Sequence, residues 1–261
     1  MNTLILGPCA METKEMYLET AKYLNTFMEG REWIYKASFD KANRSSITGK
    51  RGCGYDEAIE WFKIVKEEIP NIKLTTDVHE VWQIEQLSGV IDVIQIPAFL
   101  CRQTDLLVEC ARNFPVVNIK KGQWMSPQNM IQGVDKIKNT NPNCQAWCTE
   151  RGTQLGYSQL IVDLGNVDYL KKHFDEVIFD VTHSTQRLKE NGRTGGDRAL
   201  AQRYLQSSGI FGYTGVFAEC HPNPSEAYSD GDCQIQLEEV EGFINKLDQI
   251  NLMPILIPFS I

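Results

Sequence analysis

Short β-rich runs alternate with longer amphipathic runs along the whole chain, and this alternation limits the possible folds more than any other feature. The β-rich runs occupy 4–8, 33–39, 73–78, 93–98, 116–121, 146–152, 177–183 and 215–221. Several are nearly continuous in apolar residues, as strands buried on both faces should be. Helical periodicity fills the gaps. Residues 56–68 place Ala58, Ile59, Phe62 and Val65 on one stripe and stop before Pro70. Residues 104–112, 127–138 and 238–247 behave similarly, the second opening with Ser126 as N-cap and Pro127 in the first turn. The runs start 20 to 40 residues apart, the length of one strand–helix unit. Eight such units in 261 residues predict an α/β chain folded as one (β/α)8 TIM barrel over residues 1–261. A doubly wound open sheet is the alternative, disfavoured because no strand leads into a G-x-G-x-x-G turn.

Charge narrows the function. Lys and Arg total 26 against 34 Asp and Glu, a formal charge of −8. Nucleic acid and anionic membranes are therefore not expected partners. No run reaches the ~20 apolar residues a bilayer span needs; residues 251–261 are broken by Pro254 and Pro258. No basic stretch precedes Leu4-Ile5-Leu6, and eight cysteines occur without a CxxC pair. Reduced thiols and a cytoplasmic location are the expectation. The first strand starts near the first residue, so no N-terminal regulatory domain is expected.

A TIM barrel carries its chemistry where strands end. The ends read Cys9, Lys36, Asp77, Gln95, Lys120 with Lys121, Arg151, His183 and Glu219. Loops are polar in any barrel, but cations closing apolar strands are costly unless something pairs with them. Lys36, Lys41, Arg44, Lys120 and Arg151 form a cationic set suited to phosphate and carboxylate groups. Cys9, His183, Glu219 and Asp230 combine thiol, imidazole and carboxylates, a donor set for a divalent ion such as Zn²⁺ or Fe²⁺. Other candidates are weaker. His79 reads as a helix cap, His173 as solvated surface and His221 as a loop residue near the site. Cys144 and Cys148 could share a helix face, while Cys101 and Cys110 read as packing. The run Gly195-Gly196-Asp197-Arg198 could present backbone N–H groups to a phosphate.

The segment KASFDKANRSS (36–46) resembles the corresponding segment of the 3-deoxy-D-manno-octulosonate 8-phosphate synthases. So do TTDVHE (75–80), QIPAFLCRQTDLL (95–107), VNIKKGQ (117–123), TERG (149–152), FDVTHSTQ (179–186) and ECHPNPSEAYSDG (219–231), in order along nearly the whole chain. The related 3-deoxy-arabino-heptulosonate 7-phosphate synthases typically carry K-P-R-T where this chain has Lys41-Ala42-Asn43-Arg44. The resemblance implies a barrel that condenses phosphoenolpyruvate with D-arabinose 5-phosphate, releasing inorganic phosphate, within lipopolysaccharide biosynthesis. It implies that Lys36, Lys41, Gln95, Pro97, Ala98, Lys120 and Arg151 surround phosphoenolpyruvate. Asn43, Arg44, Ser45 and Asp77 would then hold the aldose phosphate, with Arg102 reaching in from a neighbouring subunit of a homotetramer. Lys41, Lys120, Arg151, His183 and Cys9 are the implied catalytic set. Family members divide by cysteine or asparagine on the first strand, and Cys9 implies the metal-dependent class, with Zn²⁺, Fe²⁺ or Mn²⁺ on Cys9, His183, Glu219 and Asp230.

Three features depart from the family pattern: the charged loop 187–193, Asn223 in place of an acidic residue, and the apolar tail 253–261. The tail is expected beneath the barrel or against another subunit. Two alternatives remain at this point: a related synthase using another aldose phosphate, which the KANRSS segment disfavours, and a catalytically silent barrel acting as a binding protein.

Overall fold

Each β-rich run becomes a strand, and the strands close on themselves. In the computed structural model, which describes residues 3–28, 30–44, 46–157, 159–188 and 194–251, the barrel strands are β1 Thr3–Gly7, β2 Trp33–Lys36, β3 Lys73–Asp77, β4 Val93–Ile96, β5 Val116–Lys120, β6 Gln145–Glu150, β7 Glu176–Asp180 and β8 Gly215–His221. All neighbours pair in parallel, and β1 pairs with β8 from Thr3↔Gly215 to Gly7↔Glu219, which closes the sheet. The helices between them are α1 Lys14–Asn25, α2 Tyr55–Glu68, α3 Ile84–Ser88, α4 Thr104–Asn113, α5 Pro127–Thr140, α6 Asn166–Leu170, α7 Arg198–Ile210 and α8 Val240–Asn251. The expected (β/α)8 TIM barrel is present. Ser45, part of the charged loop (189–193) and the apolar tail lie outside the described residues.

Strand alternation sorts the side chains into two compartments. Ile5, Ile34, Val93, Trp147, Ile178 and Phe217 point inward and plug the lower end of the barrel. One pleat higher on these strands the inward residues turn polar: Lys36, Gln95, Thr149, Asp180 and Glu219, all buried. Outward residues pack beneath the helices in the main core. Gly7 (φ +150°) is required where it stands, because a Cβ there would lie 2.1 Å from the Lys36 carbonyl oxygen. That close approach seats Cys9 beside β2.

Local chemistry sets the ends of several elements. Ser126 caps α5 by accepting from Asn129 N–H at 3.2 Å, with Pro127 in the first turn. The run 177–183 stops being strand at Asp180, because that carboxylate accepts N–H from Thr182 (3.1 Å) and His183 (2.8 Å). These bonds pull the chain into a tight turn and aim His183 at the barrel mouth. The five-residue helices α3 and α6 are too short for periodicity to reveal.

Candidate active site

Four donor groups converge at one arc of the mouth. Cys9 follows β1, Glu219 lies on β8, His183 follows β7, and Asp230 sits in the loop after β8 with φ +53°. One ligand atom from each lies within 4.8 Å of all the others. Cys9 Sγ is 3.5 Å from Asp230 Oδ2, and His183 Nε2 is 3.6 Å from Glu219 Oε2. Asp180 Oδ2 lies 2.8 Å from His183 Nδ1, which assigns the ring proton to Nδ1 and leaves the Nε2 lone pair facing the cluster. Glu219 Oε2 is buried without a hydrogen-bond partner. Burial, reinforced by Glu219, pushes the Cys9 thiol well above its ordinary range. This set fits a borderline divalent cation, which would supply the missing partner and favour the thiolate.

The cations stand beside this cluster. Lys36 Nζ bonds Glu219 Oε1 at 2.8 Å, and Lys120 Nζ bonds Asp180 Oδ2 at 2.7 Å while lying 3.7 Å from the Phe217 ring centre. Burial pulls the Lys120 ammonium below its usual range even though Asp180 opposes this. Arg151 donates to Gln186 at 2.7 Å, while its buried Nη1 has no partner. Lys41 donates to Ser38 Oγ at 3.1 Å. Burial would raise the Asp77 carboxyl, but Lys36, Lys41 and Lys120 outweigh it and hold the group well below the usual carboxylate range.

These side chains surround one cavity of about 880 Å³. Its lining includes Pro97, Ala98, Lys120 and Arg151, Asn43, Arg44 and Asp77, and His183 and Asp230. Arg44 donates to Ser229 Oγ (2.9 Å) and Tyr228 O (3.0 Å), which joins the loop after β2 to the loop carrying Asp230. Gln95 stands behind Asp77, fully buried. Arg102 lies on the exposed rim, where it donates to Gln132 at 3.4 Å.

Several weaker candidates take structural places. Lys121 points away from the cavity and pairs with Glu150 at 3.3 Å in full burial. His79 packs edge-on against Phe39, and Glu80 caps the turn that follows. Cys148 lies on β6 and Cys144 just before it, so the two share no helix. Asp197 caps α7 by accepting from Leu200 N–H at 2.9 Å, so a carboxylate already occupies the site suggested for phosphate. Conversely, Asp180, Gln186 and Gln234 were not singled out as candidates. Gln186 donates to Asp230 Oδ1 at 2.6 Å, and Gln234 accepts from Cys9 N–H at 3.3 Å. Asp180 had a signal, an acidic residue three before the candidate histidine; the glutamines had none.

Residues 2–253 match the model of the DAHP synthetase I family. The chain belongs to that family. Among its curated relatives is the 2-dehydro-3-deoxyphosphooctonate aldolase of Fusobacterium nucleatum, 44% identical over 241 residues, covering 91% of this chain and 86% of that one. Proteins of the same name from Chelativorans sp. (42% identical; 94% and 89% covered) and Wolinella succinogenes (39% identical; 94% and 97% covered) are similar over comparable lengths. The DAHP synthetase I match therefore spans the whole barrel and every candidate site residue.

Proposed function

We propose that this chain is a single-domain enzyme that condenses phosphoenolpyruvate, D-arabinose 5-phosphate and water into 3-deoxy-D-manno-octulosonate 8-phosphate and inorganic phosphate. The relatives' name, 2-dehydro-3-deoxyphosphooctonate aldolase, denotes the same eight-carbon sugar acid phosphate. The observation that carries the reading is one cavity with two sets of polar lining residues. Lys120 and Arg151 line it together with Pro97 and Ala98, and Asn43, Arg44 and Asp77 line it as well. Two anionic substrates can thus be held in one cavity inside a chain of net negative charge.

In this reading Lys36, Lys41, Lys120 and Arg151 receive the phosphate and carboxylate of phosphoenolpyruvate. The unpartnered Arg151 Nη1 is an available donor. Arg44 and Asn43 receive the aldose phosphate, and Asp77 accepts from its hydroxyls. Anchoring both substrates makes the reaction effectively intramolecular. C3 of the enol phosphate attacks the aldehyde carbon, water adds at C2, and the C2–O bond breaks to release phosphate. Fixed cations offset the charge that shifts during attack. Cys9, His183, Glu219 and Asp230 would hold a divalent ion (Zn²⁺, Fe²⁺ or Mn²⁺), which supplies a Lewis acid for an oxygen of substrate or solvent. Asp180 keeps the His183 proton on Nδ1. A related synthase using a shorter aldose phosphate is the second reading, and the names of the relatives favour the first.

A homotetramer in which Arg102 completes a neighbour's site is also part of the proposal. The residue is exposed beside Phe99 (56% exposed) and Trp124 (43% exposed), whose rings lie 5.6 Å apart. Free thiols at all eight cysteines support a cytoplasmic setting, and no helix among the described residues is long and apolar enough to cross a membrane.

Arg44→Ala tests the assignment of the two sets of lining residues. Loss of a bidentate, charge-assisted contact raises KM for the aldose phosphate on the order of 100-fold. KM for phosphoenolpyruvate changes far less. Steady-state titration of each substrate measures this, and equal effects on both would show that Arg44 is wrongly assigned to the aldose phosphate.

A further inference from the structure

Asp77 is the end of a line of side-chain hydrogen bonds that crosses β6, β5, β4 and β3. Thr149 Oγ1 donates to Asn118 Oδ1 at 2.8 Å, Asn118 Nδ2 donates to Gln95 Oε1 at 3.3 Å, and Gln95 Nε2 donates to Asp77 Oδ1. The strand register builds this line, since Asp77 stands opposite Gln95 and Gln95 opposite Asn118. From the other side Ser38 Oγ donates to Asp77 Oδ2, and Lys41 donates to Ser38. Thr149, Asn118 and Gln95 are fully buried, and none of the three lines the cavity.

The polarity of the line follows from its end. A carboxylate can only accept, so Gln95 must turn its NH₂ toward Asp77 and its carbonyl toward Asn118. Asn118 must then offer its NH₂ to Gln95, which leaves its own carbonyl facing Thr149. The Thr149 hydroxyl is the one donor that satisfies that carbonyl in the described structure. Were Asn118 to turn over, its carbonyl would face the Gln95 carbonyl. If Gln95 turned in response, its carbonyl would face the Asp77 carboxylate. Each bond in the line therefore holds the next amide in its orientation.

We propose that Thr149 and Asn118 are positioning residues for the aldose phosphate. They touch no substrate; they keep the Gln95 N–H on Asp77, so that the carboxylate is fixed and one lone pair on each oxygen stays free for sugar hydroxyls. The proposal rests on the reading of Asp77 as the acceptor of those hydroxyls.

Thr149→Val keeps the shape of the side chain and removes the donor, leaving the Asn118 carbonyl buried and unsatisfied. Its KM for D-arabinose 5-phosphate should rise about tenfold, with kcat and the KM for phosphoenolpyruvate within about twofold of the parent. Thr149→Ser restores the hydroxyl and should restore the KM. If Thr149→Val does not fold, Thr149→Ala is measured in its place with the same expectation. Asp77→Asn is the control. An unchanged aldose phosphate KM in Asp77→Asn would overturn the reading of Asp77 itself. A raised KM in Asp77→Asn alongside parent-like kinetics in Thr149→Val would overturn the relay alone. Equal loss for both substrates, or no rescue by serine, would make Thr149 a packing residue and also overturn it.

Discussion

Cys9→Ala should lose bound metal and activity together. The thiol is fully buried between Asp230 and the Glu219 end of β8, and its loss leaves three donors of the four. Alanine offers neither charge nor lone pair, so metal affinity should fall by more than about 100-fold, the upper range for loss of an outer supporting group. Chelation of the parent enzyme should likewise abolish turnover, and Zn²⁺, Fe²⁺ or Mn²⁺ should restore it. Cys9→Asn should keep part of its activity without metal, because an amide fills the same space and the resemblance implies a metal-independent branch with asparagine at this position. Elemental analysis run beside the activity assay checks both variants and the parent enzyme. Full activity in parent enzyme free of metal would make Cys9 a packing residue.

Adjacent lysines should give different kinetic results. Lys120→Met should lower kcat/KM by about 10²–10³, because its ammonium faces the cavity and opposes charge developing there. It should also lower Tm, because it leaves the buried Asp180 carboxylate without that partner. Lys121→Met should leave the kinetics of the folded fraction near normal but lower stability. Lys121 and Glu150 are both almost wholly buried, and removing one partner of such a pair costs about 3–5 kcal/mol. Steady-state kinetics of the folded fraction separates the two, with thermal unfolding reporting the loss of stability in each. Similar kinetic losses in both variants would contradict the division between cavity and core.

The difference between these two lysines shows how far the sequence could be read. Runs such as 93–98 and 116–121 carry enough β-rich apolar character to mark strands, and their regular spacing marks the barrel. Which of two consecutive polar residues faces inward depends on the phase of the pleat, and the doublet Lys120-Lys121 at the end of the run breaks the alternation that would show it. Cys9, His183, Glu219 and Asp230 were readable because a closed barrel brings its first and last strands together. The side chains that orient them were harder to see. Gln186 and Gln234 are neutral, and their bonds depend on loop paths that no periodicity records. His79 looked like a cap because it precedes a helical turn, yet it is the neighbouring Glu80 that meets the turn's free N–H groups. The amide relay to Asp77 became visible only once the register placed Gln95 between Asp77 and Asn118.

The central claim is the identity of the aldose phosphate. The most direct measurement supplies phosphoenolpyruvate and metal with a panel of aldose phosphates, following inorganic phosphate and product together. D-arabinose 5-phosphate should react with the highest kcat/KM, releasing one phosphate for each eight-carbon product formed. Preference for the four-carbon erythrose 4-phosphate, or no phosphate release with any member of the panel, would contradict the account.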